Sequence, residues 1–210
     1  MRNDLEKRLD LIADALGAIK KLNIDELEIR SGHLTGDEDS DLPPGAVVLF
    51  DANQGRSPAN LHNAAFTLIN SIASIKDHYK NWCNKTKSNF DGDRLIDSNK
   101  PVAIIHDLWN LEKHAELNRP PRSSHKPKLV DLRQSLSLST GPSGSVSFGM
   151  NLSGGTIEYI GDGERALVLN GRVVDEFGVD LGDFRTLCND AIDAWEALLT
   201  NAGAIQQKVL

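Results

Sequence analysis

Four polar residues in one amphipathic segment, His106, Asn110, Lys113 and His114, carry the side chains from which acid–base chemistry on an anion can be built. At ~100° per residue, a helix from Pro101 to about Leu117 gathers these four on one face and sets Ile104, Ile105, Leu108, Leu111 and Ala115 on the other. An imidazole changes charge near neutral pH, so His114 is the candidate acid or base. Lys113 would stabilise developing negative charge and Asn110 would position the reacting group. Val102, Trp109 and Leu117 flank this polar face and would shield it in part from water. A solvated helix face carrying polar residues for solubility alone fits the same spacing.

Two further groups belong to the same expectation as ligand contacts. His78 borders the apolar stripe of the preceding long helix, beside Ser71 and Ser74. Antiparallel packing of neighbouring helices would bring it toward Asn110 and His114, and His106 on that same helix is a candidate ligand contact as well. Residues 118–128 then carry Arg119, Arg122, Lys126 and Lys128 with no acid among them. Arginine forks and lysine point charges suit phosphate or carboxylate, so Arg119, Arg122 and Lys126 are candidate anion contacts. A charged linker, or one docked on the protein's own acidic surface, explains the same composition. No metal or cofactor is expected: His106 and His114 stand two helical turns apart, too far to share one ion.

The charge is distributed unevenly. Formal charge is −7 over 210 residues, made of −5 in residues 1–75, +4 in 76–128 and −6 in 129–210. A net acidic chain is not drawn as a whole to nucleic acid or anionic membrane, so any such contact must be local. With 40% hydrophobic and 25% charged residues the chain has a globular composition. No run reaches the ~18 apolar residues of a membrane span, and the first residues lack the apolar core of a secretory signal. The expected location is the cytoplasm, with no membrane partner. Cys83 and Cys188 read as reduced core thiols.

The elements that must position these groups follow from periodicity. Leu5, Leu9, Ile12, Leu16, Ile19 and Leu22 form one helical stripe; a short extended piece at Leu27 and Ile29 follows, then an acidic turn over Gly36–Asp41 that lacks the spacing of a calcium loop. Ala46–Phe50 predicts a brief strand. From Ser57–Pro58 a long helix runs to about Lys85 on Leu61, Ala65, Leu68, Ile72, Ile75, Tyr79 and Trp82. The polar residues 84–100 read as a connection, and the helix that begins at Pro101 follows. Alternation then predicts strands at 130–138 and 146–152 around a Gly141–Gly144 turn, and others at 156–160, 165–169 and 172–177, with Asn170–Gly171 as a turn dipeptide. Phe184, Leu187, Cys188, Ala191, Ile192, Trp195, Leu198 and Leu199 mark a closing helix.

Helices followed by strands indicate an α+β protein. The expected organisation is a mainly helical region 1–128, an antiparallel β region 129–180 and a C-terminal helix in 181–210. Either the last helix completes a bundle of about four helices, with a sheet of four or five strands inserted before it, or two lobes lie side by side.

The Lys76, Asp77 and His78 group in one helix, with Asn110, Lys113 and His114 in the next and a basic loop after it, resembles bacterial proteins with a HEPN-like helical bundle over residues 58–122. That family includes metal-independent ribonucleases, toxins and nucleotide-binding modules, and its nuclease motif is an arginine followed after about four to six residues by a histidine. Arg119 and His125 match this spacing only in a proline-rich loop, and the positions where His114 would need an arginine hold Asp107, Leu108 and Trp109. The resemblance therefore implies the fold more than the activity. The expected function is binding of an anionic ligand, RNA or a nucleotide, through the polar helix face and basic loop. Its rivals are a non-enzymatic assembly protein, with a homo-oligomer or protein partner, and a metal-independent ribonuclease using His114, Lys113 or Arg119, and Asn110.

Overall fold

A side chain cap and a run of apolar residues are enough to start the helix on which the candidate chemistry rests. The Asn99 side chain accepts the backbone N–H of Val102 at 3.1 Å, and Lys100–His114 is helical. The computed structural model that shows this describes residues 5, 7–9, 12, 47–51, 58–114, 119–139, 146–151, 156–161 and 165–205. In chain order the elements are β1 (Val47–Asp51), α1 (Pro58–Ala73), α2 (Ile75–Thr86), α3 (Gly92–Ser98), α4 (Lys100–His114), β2 (Lys128–Ser139), β3 (Val146–Asn151), β4 (Thr156–Gly161), β5 (Arg165–Val174), β6 (Asp180–Asp183) and α5 (Phe184–Asn201). Leu5, Lys7, Arg8, Leu9 and Ile12 are helical as well. The class is α+β. The rest of the N-terminal stripe, the extended piece at Leu27 and Ile29, the acidic run Gly36–Asp41, the Gly141–Gly144 turn and the helix beyond His114 lie outside the described residues.

The chain divides into two compact units: Met1–Ala15, His62–Leu132 and Gly171–Leu210 form one, Leu16–Leu61 and Arg133–Asn170 the other. In the first, α4 packs against α3 and α5, and α3 against α2. Ile69, Ile72, Ile75, Ile96, Ile104, Ile105, Phe184 and Trp195 have at most 1% of their surface exposed. Each such side chain contributes on the order of 1.5–3 kcal/mol through burial. The stripe predicted for the last helix is buried apart from Leu198, and Asp183 caps that helix by accepting the Thr186 N–H at 2.9 Å. Cys83 and Cys188 are buried and unbridged.

Three expectations need correction. The long helix is interrupted at Ser74, whose hydroxyl donates to Ser71 O and accepts from Arg8, while both Asp77 and His78 N–H groups turn to Ser74 O. Residues 84–100 are not only a connection: they contain α3. That helix is held less by its own two apolar residues than by tertiary contacts. The Tyr79 hydroxyl donates to Asp91 at 2.9 Å, and a Cβ at Gly92 would lie 2.7 Å from the Phe90 ring and 3.4 Å from Trp195. A side chain at residue 92 would have to displace the Phe90 ring.

The third correction concerns the strands. Asn170–Gly171 is no hairpin turn but the interior of β5, which is one strand from Arg165 to Val174. A Cβ at Gly171 would lie 3.1 Å from Leu132 and 3.3 Å from Val130 O, so the glycine serves close approach rather than chain reversal. The chain reverses instead at Asp175–Val179. There Asp175 Oδ1 accepts the N–H groups of Phe177 and Val179 at 2.9 and 2.8 Å. Nor do the strands form one sheet built from residues 129–180: their order is β1-β2-β5-β6, with β3 and β4 paired separately. Within the second unit, β1 runs antiparallel to β2 from Val47 opposite Ser139 to Asp51 opposite Ser135.

Candidate functional site

Helix α4 does not present two faces. Every residue from Val102 to Leu108 is buried, including His106 at 5% and Asp107 at 2% exposure, because the 119–128 connection covers the side that amphipathicity assigns to solvent. The cover is specific: Asp107 Oδ2 accepts both the backbone N–H and the hydroxyl of Ser123, each at 2.7 Å. A buried carboxylate held by two donors at such distances fixes the loop to the helix.

His106 is a core histidine. The Asn110 amide nitrogen lies 2.9 Å from its Nδ1 and can only donate, so Nδ1 accepts and the ring proton sits on Nε2. Burial, followed by the positive charges of Lys76 and Arg122, pushes the imidazole down to about 4, so it is neutral at pH 7. Asn110 is thereby engaged inward. Lys113 and His114 are exposed at the end of the helix, and Lys113 Nζ lies 4.8 Å from the Trp109 ring centroid.

The helix register separates the other histidine from this group. Trp109 Nε1 donates to Asn70 Oδ1 at 2.8 Å and His62 lies 3.3 Å from Glu112, which makes α1 antiparallel to α4 with residue 62 beside 112. His78 then stands roughly 24 Å further along the α1–α2 path at about 1.5 Å per residue. It belongs to the opposite end of α4 from His114.

The basic connection is largely spent on the protein's own acids. Arg122 reaches Asp93 at 2.9 Å and Asp97 at 3.0 Å, with 16% of its side chain exposed, and Lys76 reaches Asp93 at 2.7 Å. Asp93 is accordingly held below the usual carboxylate range, chiefly by the Lys76 hydrogen bond and then by Arg122. His125 faces Asp175 at 3.5 Å, and the Lys126 backbone N–H donates to Glu176 at 2.9 Å. Burial acts to raise Asp175, but the Val179 and Phe177 N–H groups and His125 outweigh it and hold the carboxyl below its usual range. Arg119 is exposed.

Beside these anchors lies a groove of about 500 Å³ in the same unit. Phe66, Leu108, Leu111, Pro127 and Leu129 give it an apolar floor; the His62–Glu112 pair, Glu176, Lys126 and Lys128 stand around it. The His62 and Phe66 rings, one turn apart on α1, pack with centroids 4.5 Å apart. Lys126 and Lys128 are exposed, and neither ammonium has an ion pair among the described residues. Of the candidate site residues expected from the sequence, only Lys126 lines this groove. Lys128 was legible as part of the basic run, and Leu111 as apolar, but nothing in their spacing pairs them with His62 and Phe66.

Volume and lining fit a small ligand, or one anchor of a larger one, with an apolar body and an anionic group. Among the described residues no cluster of three or more His, Cys, Asp or Glu is placed to hold a metal ion, and no helix is long and apolar enough to cross a membrane. No family model matches the chain, and neither the curated proteins nor the solved structures contain a match to it.

Proposed function

We propose that this is a binding protein whose groove between α1, α4 and the start of β2 receives an anionic ligand with an apolar body. The observation that carries this reading is the pair of exposed lysines, Lys126 and Lys128, at the margin of an apolar floor. A nucleotide meets the description: a base would lie on Phe66 and the leucines while its phosphate meets the ammonium groups. The anion contact expected on the helix face and along the whole basic loop is thus moved to the loop's last residues. The supporting scaffold is read as a bundle of about four helices with the sheet inserted before α5.

Binding without catalysis is favoured because the groups that would share a reaction do not converge. His106 and Asn110 are engaged with each other, whereas His114 and Lys113 are exposed at the helix end. The test is a fluorescence titration with anilinonaphthalene sulfonate, followed by its displacement with a mononucleotide and with mixed-sequence RNA. Saturable binding that weakens about tenfold in Lys126→Glu/Lys128→Glu, and weakens with salt, is the expected result. Binding unchanged by this double reversal would overturn the reading. Cleavage of the RNA in EDTA would overturn the non-catalytic part of it.

A further inference from the structure

The groove is not cationic as a whole. Lys126 and Lys128 line it together with two carboxylates, Glu112 and Glu176. With the His62 imidazole left aside these formal charges cancel, so a ligand that carries only negative charge is drawn by one half of the lining and repelled by the other. What the groove selects depends on which of the four charges the fold already engages.

Glu176 is engaged. Its Oε2 accepts the Lys126 N–H at 2.9 Å, and that bond, followed by one from its own N–H, holds the carboxyl below its usual range. Glu112 remains available. Its Oε1 has one contact, His62 Nε2 at 3.3 Å, with both side chains about half exposed, and its Oε2 has no partner among the described residues. The cations nearest in the chain and in the groove leave it alone: Lys113 lies over the Trp109 ring, and neither Lys126 nor Lys128 forms an ion pair with it.

A carboxylate and two ammonium groups that share one apolar floor without pairing call for an occupant of both signs. Resting on the reading of the groove as a site for an apolar body with an anionic group, we propose that the ligand is a short apolar peptide whose amino terminus meets Glu112 and whose carboxyl terminus meets Lys126 and Lys128. Its side chains lie on Phe66, Leu111 and Leu129. A free amino acid holds both charges on one carbon, too close together for groups that stand apart. A peptide separates them by its backbone, about 3.5 Å per residue.

Isothermal titration calorimetry with leucyl-leucine, its N-acetyl form, its C-terminal amide and free leucine tests this. In wild type the dipeptide is expected to bind, with N-acetylation, amidation and shortening to leucine each weakening it by about three- to tenfold. In Glu112→Gln, whose amide oxygen can still accept from His62, the free and acetylated dipeptides are expected to bind alike while amidation keeps its effect. In Lys126→Ser/Lys128→Ser the pattern reverses: amidation loses its effect and acetylation keeps it. A general loss of fold cannot produce this crosswise result.

Acetylation without effect in wild type overturns the proposal, as does an acetylation effect that persists in Glu112→Gln, or leucine bound as tightly as the dipeptide. Anilinonaphthalene sulfonate separates that failure from failure of the groove itself. If the dye depends on Lys126 and Lys128 while no dipeptide binds up to about 10 mM, the peptide alone is overturned, and displacement by a mononucleotide then identifies the other class. If dye binding is indifferent to Lys126→Glu/Lys128→Glu, both readings fall.

Discussion

The basic connection after α4 uses its two halves in opposite ways. At Arg122 and Ser123, side chain and backbone are tied to Asp93, Asp97 and Asp107 by contacts of 2.7–3.0 Å. At Lys126 and Lys128 the backbone is anchored, through the Lys126 N–H to Glu176, while the ammonium groups stand at the groove margin. Composition alone presents one run of cations. The difference between cohesion and recognition is set by which acids the fold places opposite each cation.

Breaking the cohesive half costs most. Asp107→Ala leaves the Ser123 N–H without its acceptor beneath the loop and the hydroxyl with only His125 O, at 3.1 Å, and a loss of about 3 kcal/mol of unfolding free energy is expected in urea denaturation. The same change is expected to loosen the connection far more than any lysine substitution, as accelerated amide exchange from Ser123 to Lys126.

The buried imidazole below this loop adds a pH dependence. His106 titrates near 4 in the fold against 6.5 when unfolded, so between those values the unfolded chain binds a proton that the folded chain refuses. Stability is full above the unfolded value, falls as pH drops through the window, and has lost at most about 3 kcal/mol once the folded value is passed. Denaturation at pH 7, above that window, and at pH 4.5, inside it, checks this. His106→Gln, whose carbonyl can still accept from Asn110, should flatten the slope. Asp93, Asp175 and Glu176 are held below the usual carboxylate range, so their loss has the same sign and comes at lower pH.

A smaller effect belongs to Arg122. Its guanidinium is largely covered, but its partners Asp93 and Asp97 are 52% and 62% exposed, so solvent screens the pairs. Arg122→Met is expected to cost about 1–2 kcal/mol, because Lys76 remains to hold Asp93. A loss below about 0.5 kcal/mol in thermal denaturation would mean that Arg122 adds nothing to the hold of Ser123, His125 and Lys126 on the loop.

What could be read from the residues beforehand follows the same division. Helices with a long apolar stripe, such as α5, were legible because one buried face leaves a period in the sequence. Helix α3 was not, since Gly92 and the Tyr79–Asp91 bond hold it through tertiary contacts that no local pattern records. Gly171 misled for a related reason: a glycine needed for close approach beside Leu132 carries the same letter as one needed for a turn. His106 and Asn110 were legible as members of one polar helix face, but their direction depended on a loop folding back over α4. The groove was least legible, because His62, Leu111 and Lys128 come from three separate segments.

The recognition half of the connection supplies the smallest stability effect and the sharpest form of the comparison. Lys126→Ser and Lys128→Ser remove exposed ammonium groups and leave the Lys126 backbone bond to Glu176 intact. Each is expected to change unfolding free energy by less than about 0.5 kcal/mol. The same substitutions are expected to weaken binding of anilinonaphthalene sulfonate by about three- to tenfold, since each removes one cation from the groove margin. Lysines that proved as costly to the fold as Arg122 would erase the contrast, because cohesion would then account for the whole connection and leave no charge set aside for a ligand.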